Sequence, residues 1–435
     1  MYTFAMRLRS PHDRTIFTLA LPALGALAAG PLYTLVDTAI VGHLGVKPLA
    51  ALALAGTLLA AIVQLADFLS YGTTAQVARL HGAGNHEEAG GVVAQALWLA
   101  LGAGLLAGLI VLVGGGPLLG VLGHGAGVHG EAALYIRIVC AGVPAQLVAL
   151  AGEGCLRGLG DLRSPLVILI VANLANVVLE VLFVYVARMG LAGSALGTLI
   201  AQLGMGVAFT VKMLRTPADS RRPNLQRMAP LIRTGGHITV RTAALLGAFT
   251  LTSALAARLG AAALAAHQIA FELFLFLALT LDAIAIAGQI LVARLLGAGE
   301  SEQAFQAAMR MLLWAVLIGA LLAALLLSLS VVGPEAFTGS RPVLRASHPV
   351  WRLLALMQPL AAAVFALDGI LIGAGDTRYL AGAMVLALAL FLPVAFAASS
   401  VSGLWWALNL LILIRLLTLL PRFLRRKWAV LGARV

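Results

Sequence analysis

Charge is what this chain has least of. Charged residues occupy 11% of its 435 positions and apolar ones 61%, too little polar surface to clothe a soluble globule. Mean hydropathy is +1.01, and no polar stretch is long enough to form a separate soluble domain. Cysteine is nearly missing. Cys140 and Cys155 both fall in apolar or membrane-edge sequence, so neither a disulfide framework nor a metal cluster is implied. Aromatics make up 6% and are not interleaved with the basic residues, which argues against nucleic acid as the reason for a net charge of +12. Catalytic punctuation is missing as well. There is no G-x-S-x-G and no G-x-x-x-x-G-K-[ST], and His86-Glu87 lacks the second His of a zinc motif because Gly90 stands in its place. The chain therefore reads as no enzyme and no ATP-driven pump, without cofactor or resident metal.

What is present is a series of apolar runs long enough to cross a hydrocarbon core of about 30 Å. Placing helices between polar or Gly/Pro breaks gives twelve spans, near 15–40, 50–77, 89–113, 132–155, 165–187, 190–213, 230–257, 262–292, 303–332, 349–373, 379–398 and 403–421. The first run is longer than a signal-peptide core and reads as an uncleaved helix. Alternating the sides assigns twenty Lys and Arg, from Arg7, Arg9 and Arg14 to Arg434, to one side and six to the other, with Arg137, Arg241 and Arg415 inside spans. The positive-inside rule then makes both termini cytoplasmic.

The polar segment RTPADSRRPNLQR, Arg215–Arg227, divides the chain near its midpoint, and the halves repeat each other. VARLHGAG at Val77–Gly84 returns as VARLLGAG at Val292–Gly299, GLGDLR at Gly158–Arg163 as GAGDTR at Gly373–Arg378, and Pro144 as Pro359, each displaced by 215 residues. Six spans per half is an even number, so the halves share one orientation, a parallel repeat suited to alternating access. The expected architecture is an all-α polytopic membrane protein: a six-helix bundle over 1–214, a cytoplasmic linker over 215–228, and a second six-helix bundle over 229–435.

The repeat is also an internal control. Polar residues present in both halves, such as Arg79/Arg294, Asp161/Asp376, Glu153/Asp368 and Asp67/Asp282, read as loop anchors or helix-to-helix bonds. Other polar positions of the first half have no carboxylate or amide partner in the second. Asp37 faces Thr252 in the alignment, Asn176 faces Phe391, Glu180 faces Ala395 and Thr198 faces Leu413. An acid inside a span costs about 2.5–3.5 kcal/mol on the lenient insertion scale and usually serves a function. Asn173, Asn176 and Glu180 are spaced to share one helix face. A rise of about 1.5 Å per residue puts Glu180 roughly 22 Å above its helix start, level with Thr198 roughly 12 Å below the start of the next helix. The first half is therefore expected to hold the chemistry.

These residues resemble a known family. LPALGALAAGPLYTLVDTAIVGHLG (Leu21–Gly45), GTTAQVARLHGAG (Gly72–Gly84), VRTAALLGAF (Val240–Phe249) and LAAHQIAFELFLFLALTLDAIAIAGQILVARLLGAG (Leu264–Gly299) make the whole chain similar to MATE (multidrug and toxic compound extrusion) transporters of the DinF-type branch. The resemblance implies two six-helix bundles around a central cleft. It also implies a coupling site at Asp37, Asn176, Glu180 and Thr198 that takes H⁺ or, as the lesser choice, Na⁺, and a helix bend at Pro22. Glu180 stands where prokaryotic relatives commonly carry Asp. Arg241, Asp282, Gln64 and Asn173 are further candidates along a substrate pathway, with a snorkelling Arg near the cytoplasmic end as the plain alternative for Arg241.

The expected activity is secondary antiport in the cytoplasmic membrane, exporting amphipathic, often cationic small molecules by a monomer in contact with membrane lipids. A lipid-precursor flippase and a passive channel are the alternatives. Buried acids confined to one half form no symmetric ring, which speaks against a channel.

Overall fold

A computed structural model describes residues 11–122 and 128–433; Arg7, Arg9 and Arg434 of the basic count lie outside them. Every regular element among the described residues is helical: α1 (Pro11–Gly42), α2 (Val46–Ala66), α3 (Phe68–Gly82), α4 (His86–Leu122), α5 (His129–Val139), α6 (Val143–Leu159), α7 (Arg163–Val181), α8 (Leu191–Leu214), α9 (Leu225–Arg258), α10 (Ala261–Gly297), α11 (Ser301–Ser328), α12 (Val332–Glu335), α13 (Arg341–Gly373), α14 (Thr377–Ala397) and α15 (Val401–Leu424). Twelve membrane-length apolar helices result. The second joins α2 and α3 through Asp67, whose carbonyl accepts the amides of Ser70 and Tyr71. The fourth joins α5 and α6 through a short 3₁₀ turn at Cys140–Gly142.

The repeat is written into the backbone. Gly45 and Gly260, Gly84 and Gly299, and Gly160 and Gly375 are three pairs at the same displacement, and all six have positive φ, between 77° and 120°. Each sits in a tight turn after a helix, where a Cβ would be strained.

The contact division does not fall in the basic linker. One compact unit comprises Gly25–Thr239; the other takes the chain up to Leu24 together with everything from Val240 onward. The two cuts, at Gly25 and Val240, are themselves related by the repeat. α1, unbroken through Pro22 and Pro31, thus begins in one unit and ends in the other, and α9 does the same in reverse.

In the unit that takes in the first turns of α1, Asp13 anchors that helix to α11. Its carboxylate accepts from Arg310 Nε and Nη2 at 2.7 and 2.8 Å and from Trp314 Nε1 at 2.9 Å. In the other unit the linker lies on α4. Gln95 bonds both ways, Nε2 to the Arg222 carbonyl and Oε1 from the Asn224 amide, each at 2.8 Å, and Trp98 Nε1 donates to the Arg221 carbonyl. Gly90 makes the approach possible, since a Cβ there would stand 1.8 Å from the Pro217 oxygen.

Arg79 and Arg157, assigned by sequence to the loop side, fall in the last turns of α3 and α6 and are packed inward, 2% and 6% exposed. Arg157 is held by Glu153 one turn earlier at 2.7 Å and reaches Ser70 Oγ at 3.3 Å. A cation buried at a helix end needs a partner, and a glutamate at i−4 supplies it.

Candidate functional site

Three helices of the Gly25–Thr239 unit each present two polar side chains one turn apart: Tyr33 and Asp37 on α1, Asn176 and Glu180 on α7, Ser194 and Thr198 on α8. Their i, i+4 spacing stacks each pair on one face, and the faces meet. Ser194 Oγ donates to Asp37 Oδ1 at 3.1 Å, and Thr198 Oγ1 donates to Glu180 Oε1 at 3.4 Å. Tyr33 Oη lies 3.2 Å from Thr198 Oγ1 and accepts from Asn176 Nδ2 at 3.3 Å. Ser194 and Thr198, one turn apart on α8, thus each hold one of the two carboxyl groups. Both are buried, Glu180 completely.

Local structure explains why a carboxyl can be sealed there. α8 carries Gly193 and Gly197 toward α7. A Cβ on Gly197 would stand 3.1 Å from Glu180 Cγ, and one on Gly193 would stand 2.8 Å from the Phe183 backbone. Larger side chains would push the helices apart and let water reach Glu180. Immediately after Glu180, α7 widens into a π-helical turn over Leu182–Val186, a feature often found beside functional residues. Tyr185 in that turn donates to the Ile40 carbonyl at 2.7 Å, and Asn173 Nδ2 donates to the Ala29 carbonyl at 3.0 Å. α1 is thus fastened to α7 on both sides of the acid pair.

The site opens onto a cavity of about 740 Å³, whose wall includes Tyr33, Asp37, Asn176 and Thr198. Gln64 and Asn173 line it too, as do Tyr135 and Gln146. Among the described residues the wall carries one acid and no Arg, Lys or His. The rest is largely aliphatic, Leu52, Leu59, Val63 and Leu169 among them.

Comparison with known proteins gives the family. The family model MatE matches residues 22–182 and 238–397, one match in each half. The chain belongs to the MATE family. It is 31% identical over 417 residues to Protein DETOXIFICATION 44, chloroplastic, of Arabidopsis thaliana, covering 92% of this chain and 80% of that one. It is 30% identical over 447 residues to DNA damage-inducible protein F of Escherichia coli (strain K12), covering 97% and 94%. A MATE protein crystallised in a bent conformation superposes with a TM-score of 0.87 at 21% identity over 97% of this chain and 96% of the other. The same comparison with a straight conformation gives 0.84 at 20% identity over 97% of each. These likenesses support an all-helical, multi-pass membrane protein of a transporter family.

Within this MATE fold, four residues singled out by the repeat, Asp37, Asn176, Glu180 and Thr198, come together, and Gln64 and Asn173 share their cavity. Arg241 and Asp282 do not join them. Arg241, on α9 of the other unit, is ion-paired with Asp368 of α13, which also binds Arg415 of α15. Asp282 lies midway along α10 in that same unit. Arg241 therefore does not snorkel free; a buried carboxylate holds it.

Three site residues escaped the sequence reading: Tyr33, Tyr135 and Ser194. Tyr33 aligns with Ala248 and Tyr135 with Val350, so the same asymmetry would have flagged both had hydroxyls been weighed like acids and amides. Ser194 aligns with Asn409; polar in both halves, it is hidden from that control.

Proposed function

We propose that this MATE-family chain is a secondary antiporter of the cytoplasmic membrane that exports amphipathic, often cationic organic molecules in exchange for H⁺ by alternating access. The observation that carries the reading is two buried acids, Asp37 at the wall of a largely apolar cavity and Glu180 behind it, held by Ser194 and Thr198 one turn apart on α8. Two buried carboxyl groups held on one small cluster favour a positive charge near them, because each ionised oxygen only accepts hydrogen bonds and like charges repel strongly in a dry site. A proton meets that need. So does a cationic substrate, at the cavity face of Asp37.

The cycle follows. With the pair deprotonated, the negative cavity attracts a cation from the inside. A proton arriving from outside cancels one of the two charges and weakens the attraction, and substrate leaves outward; loss of the proton inward resets the site. Ser194 and Thr198 donate to the carboxylates and orient them, while Tyr33 ties Thr198 to Asn176.

A sodium-coupled variant has one observation in its favour. Asn176 Oδ1 and Glu180 Oε2 are buried without a hydrogen-bond partner, and oxygens of this kind suit a hard cation. Among the described residues no group of three or more His, Cys, Asp or Glu could hold a metal ion, so such a site would depend on amide and hydroxyl oxygens as well. The flippase alternative is disfavoured by a cavity wall without cations for phosphate.

Efflux from proteoliposomes of the purified protein decides the matter. An imposed pH difference should drive uphill transport of a cationic dye and an imposed Na⁺ difference should not. Transport that follows Na⁺ alone would replace the proton with sodium, and transport indifferent to both would overturn antiport.

A further inference from the structure

We propose that the groove between α14 and α15, at the end where α14 begins and α15 finishes, binds the headgroup of an anionic phospholipid. The groove encloses about 460 Å³. At its mouth Arg422 donates Nε and Nη2 to Asp376 at 2.7 and 3.3 Å, and its guanidinium lies 4.9 Å from the Tyr379 ring centroid. Tyr379 in turn donates to the Thr418 carbonyl at 2.8 Å, bracing α14 on α15. Arg422 is therefore held in place while one nitrogen, Nη1, makes no hydrogen bond among the described residues. Arg378 also lines the groove, is exposed, and makes no ion pair among the described residues. Asp376 offsets one guanidinium, so the mouth keeps a net positive charge. Below it the wall turns apolar: Gly382, Ala383 and Leu386 follow Arg378 and Tyr379 at one-turn intervals on α14. A charged mouth over an apolar floor matches a phosphate with an acyl chain beneath it.

The repeat supplies the control. Displaced by 215 residues, the first half places Val207 at the position of Arg422, Ser164 at Tyr379, and Val167 and Ile168 at Gly382 and Ala383. The acid survives in both halves: Asp161 is answered by Lys212 at 3.8 Å. An acid–cation pair here is thus common scaffold. What the second half adds is the stacked arginine, and what it removes is the bulk that would fill the groove. A Cβ at Gly382 would meet nothing within 4 Å, so the space is open. Arg425 and Lys427, both exposed just beyond α15, add to the positive field. Basic pockets between spanning helices recognise anionic headgroups in this way.

The test uses the full-length protein, purified in detergent, with native mass spectrometry after exchange into micelles of phosphatidylglycerol or phosphatidylcholine. Wild type should retain phosphatidylglycerol in preference. Arg378→Ala should weaken retention about fivefold, the weight of one basic residue near an anionic headgroup. Gly382→Leu keeps every charge and should abolish the preference by filling the groove, while Arg163→Ala in the other half should change nothing. Thermal unfolding of each variant checks that it is folded. Equal retention of the two lipids, unchanged retention in both groove variants, or displacement of the lipid by millimolar inorganic phosphate would each overturn the assignment.

Discussion

Glu180 is sealed between two helices, yet its Oε2 has no hydrogen-bond partner among the described residues, and Asn176 Oδ1 is in the same state. An unpaired buried polar atom typically costs about 1–3 kcal/mol, and the cation coupling proposed above would give both of them a partner. The neutral groups around it have a smaller part. Tyr33→Phe removes one hydroxyl that links Asn176 to Thr198, a change worth about 0.5–1.5 kcal/mol. Dye efflux should therefore fall by up to about tenfold and stay gradient-dependent. Total loss of coupling in this variant would put Tyr33 itself in the proton path. At this scale much was legible, because an acid or amide in an apolar span with no counterpart in the other half demands an explanation. Tyr33 and Ser194 were harder to read, since hydroxyls are cheap enough in a membrane to pass as packing.

The elements show where a polar residue serves the fold instead. Asp368 of α13 binds Arg241 of α9 and Arg415 of α15, joining three helices through one buried carboxylate. From the sequence, Arg241 stood as a substrate-pathway candidate beside a snorkelling alternative. The structure pairs it with a buried carboxylate more than a hundred residues away, a partner that no local pattern announces. Asp368→Asn would leave two buried guanidiniums facing a neutral amide. Breaking a buried pair costs about 3–5 kcal/mol, so folded yield and thermal stability should drop sharply while transport per folded molecule stays near wild type. An abundant, stable and inactive Asp368→Asn would move this cluster from scaffold into mechanism. The helix breaks follow the same logic. The repeat predicts matched spans, and both halves have them, but the interruption at Asp67 has no counterpart at Asp282, where α10 runs on unbroken. That difference depends on packing rather than on the shared residue type.

For the whole molecule, span number and repeat are carried by hydropathy and spacing, and the twelve apolar helices match them. The contact units were not legible. Their cuts at Gly25 and Val240 fall inside continuous helices, where nothing in the local sequence marks a boundary and only tertiary contacts assign each turn to a unit. Orientation is a further prediction. Cysteine tags beside Arg222 and at the C-terminus should react only from the cytoplasmic side in intact cells, because most of the basic residues fall on that side. The native Cys140 and Cys155 are buried and should give little background. Reaction of either tag from outside would invert or break the assigned topology.

The central claim is that a proton shared by Asp37 and Glu180 drives export. Asp37→Asn tests it most directly, since the amide keeps nearly the same shape and a neutral group is cheaper to bury than a carboxylate. The variant should fold and still bind substrate in detergent. It should fail to export in proteoliposomes under an imposed pH difference, because a side chain that never changes charge gives the gradient no preference between the two ends of the cycle. Glu180→Gln should behave alike, and Thr252→Ala at the symmetry-related position should transport normally. Gradient-driven efflux by Asp37→Asn at the wild-type rate and matched protein level would contradict the account.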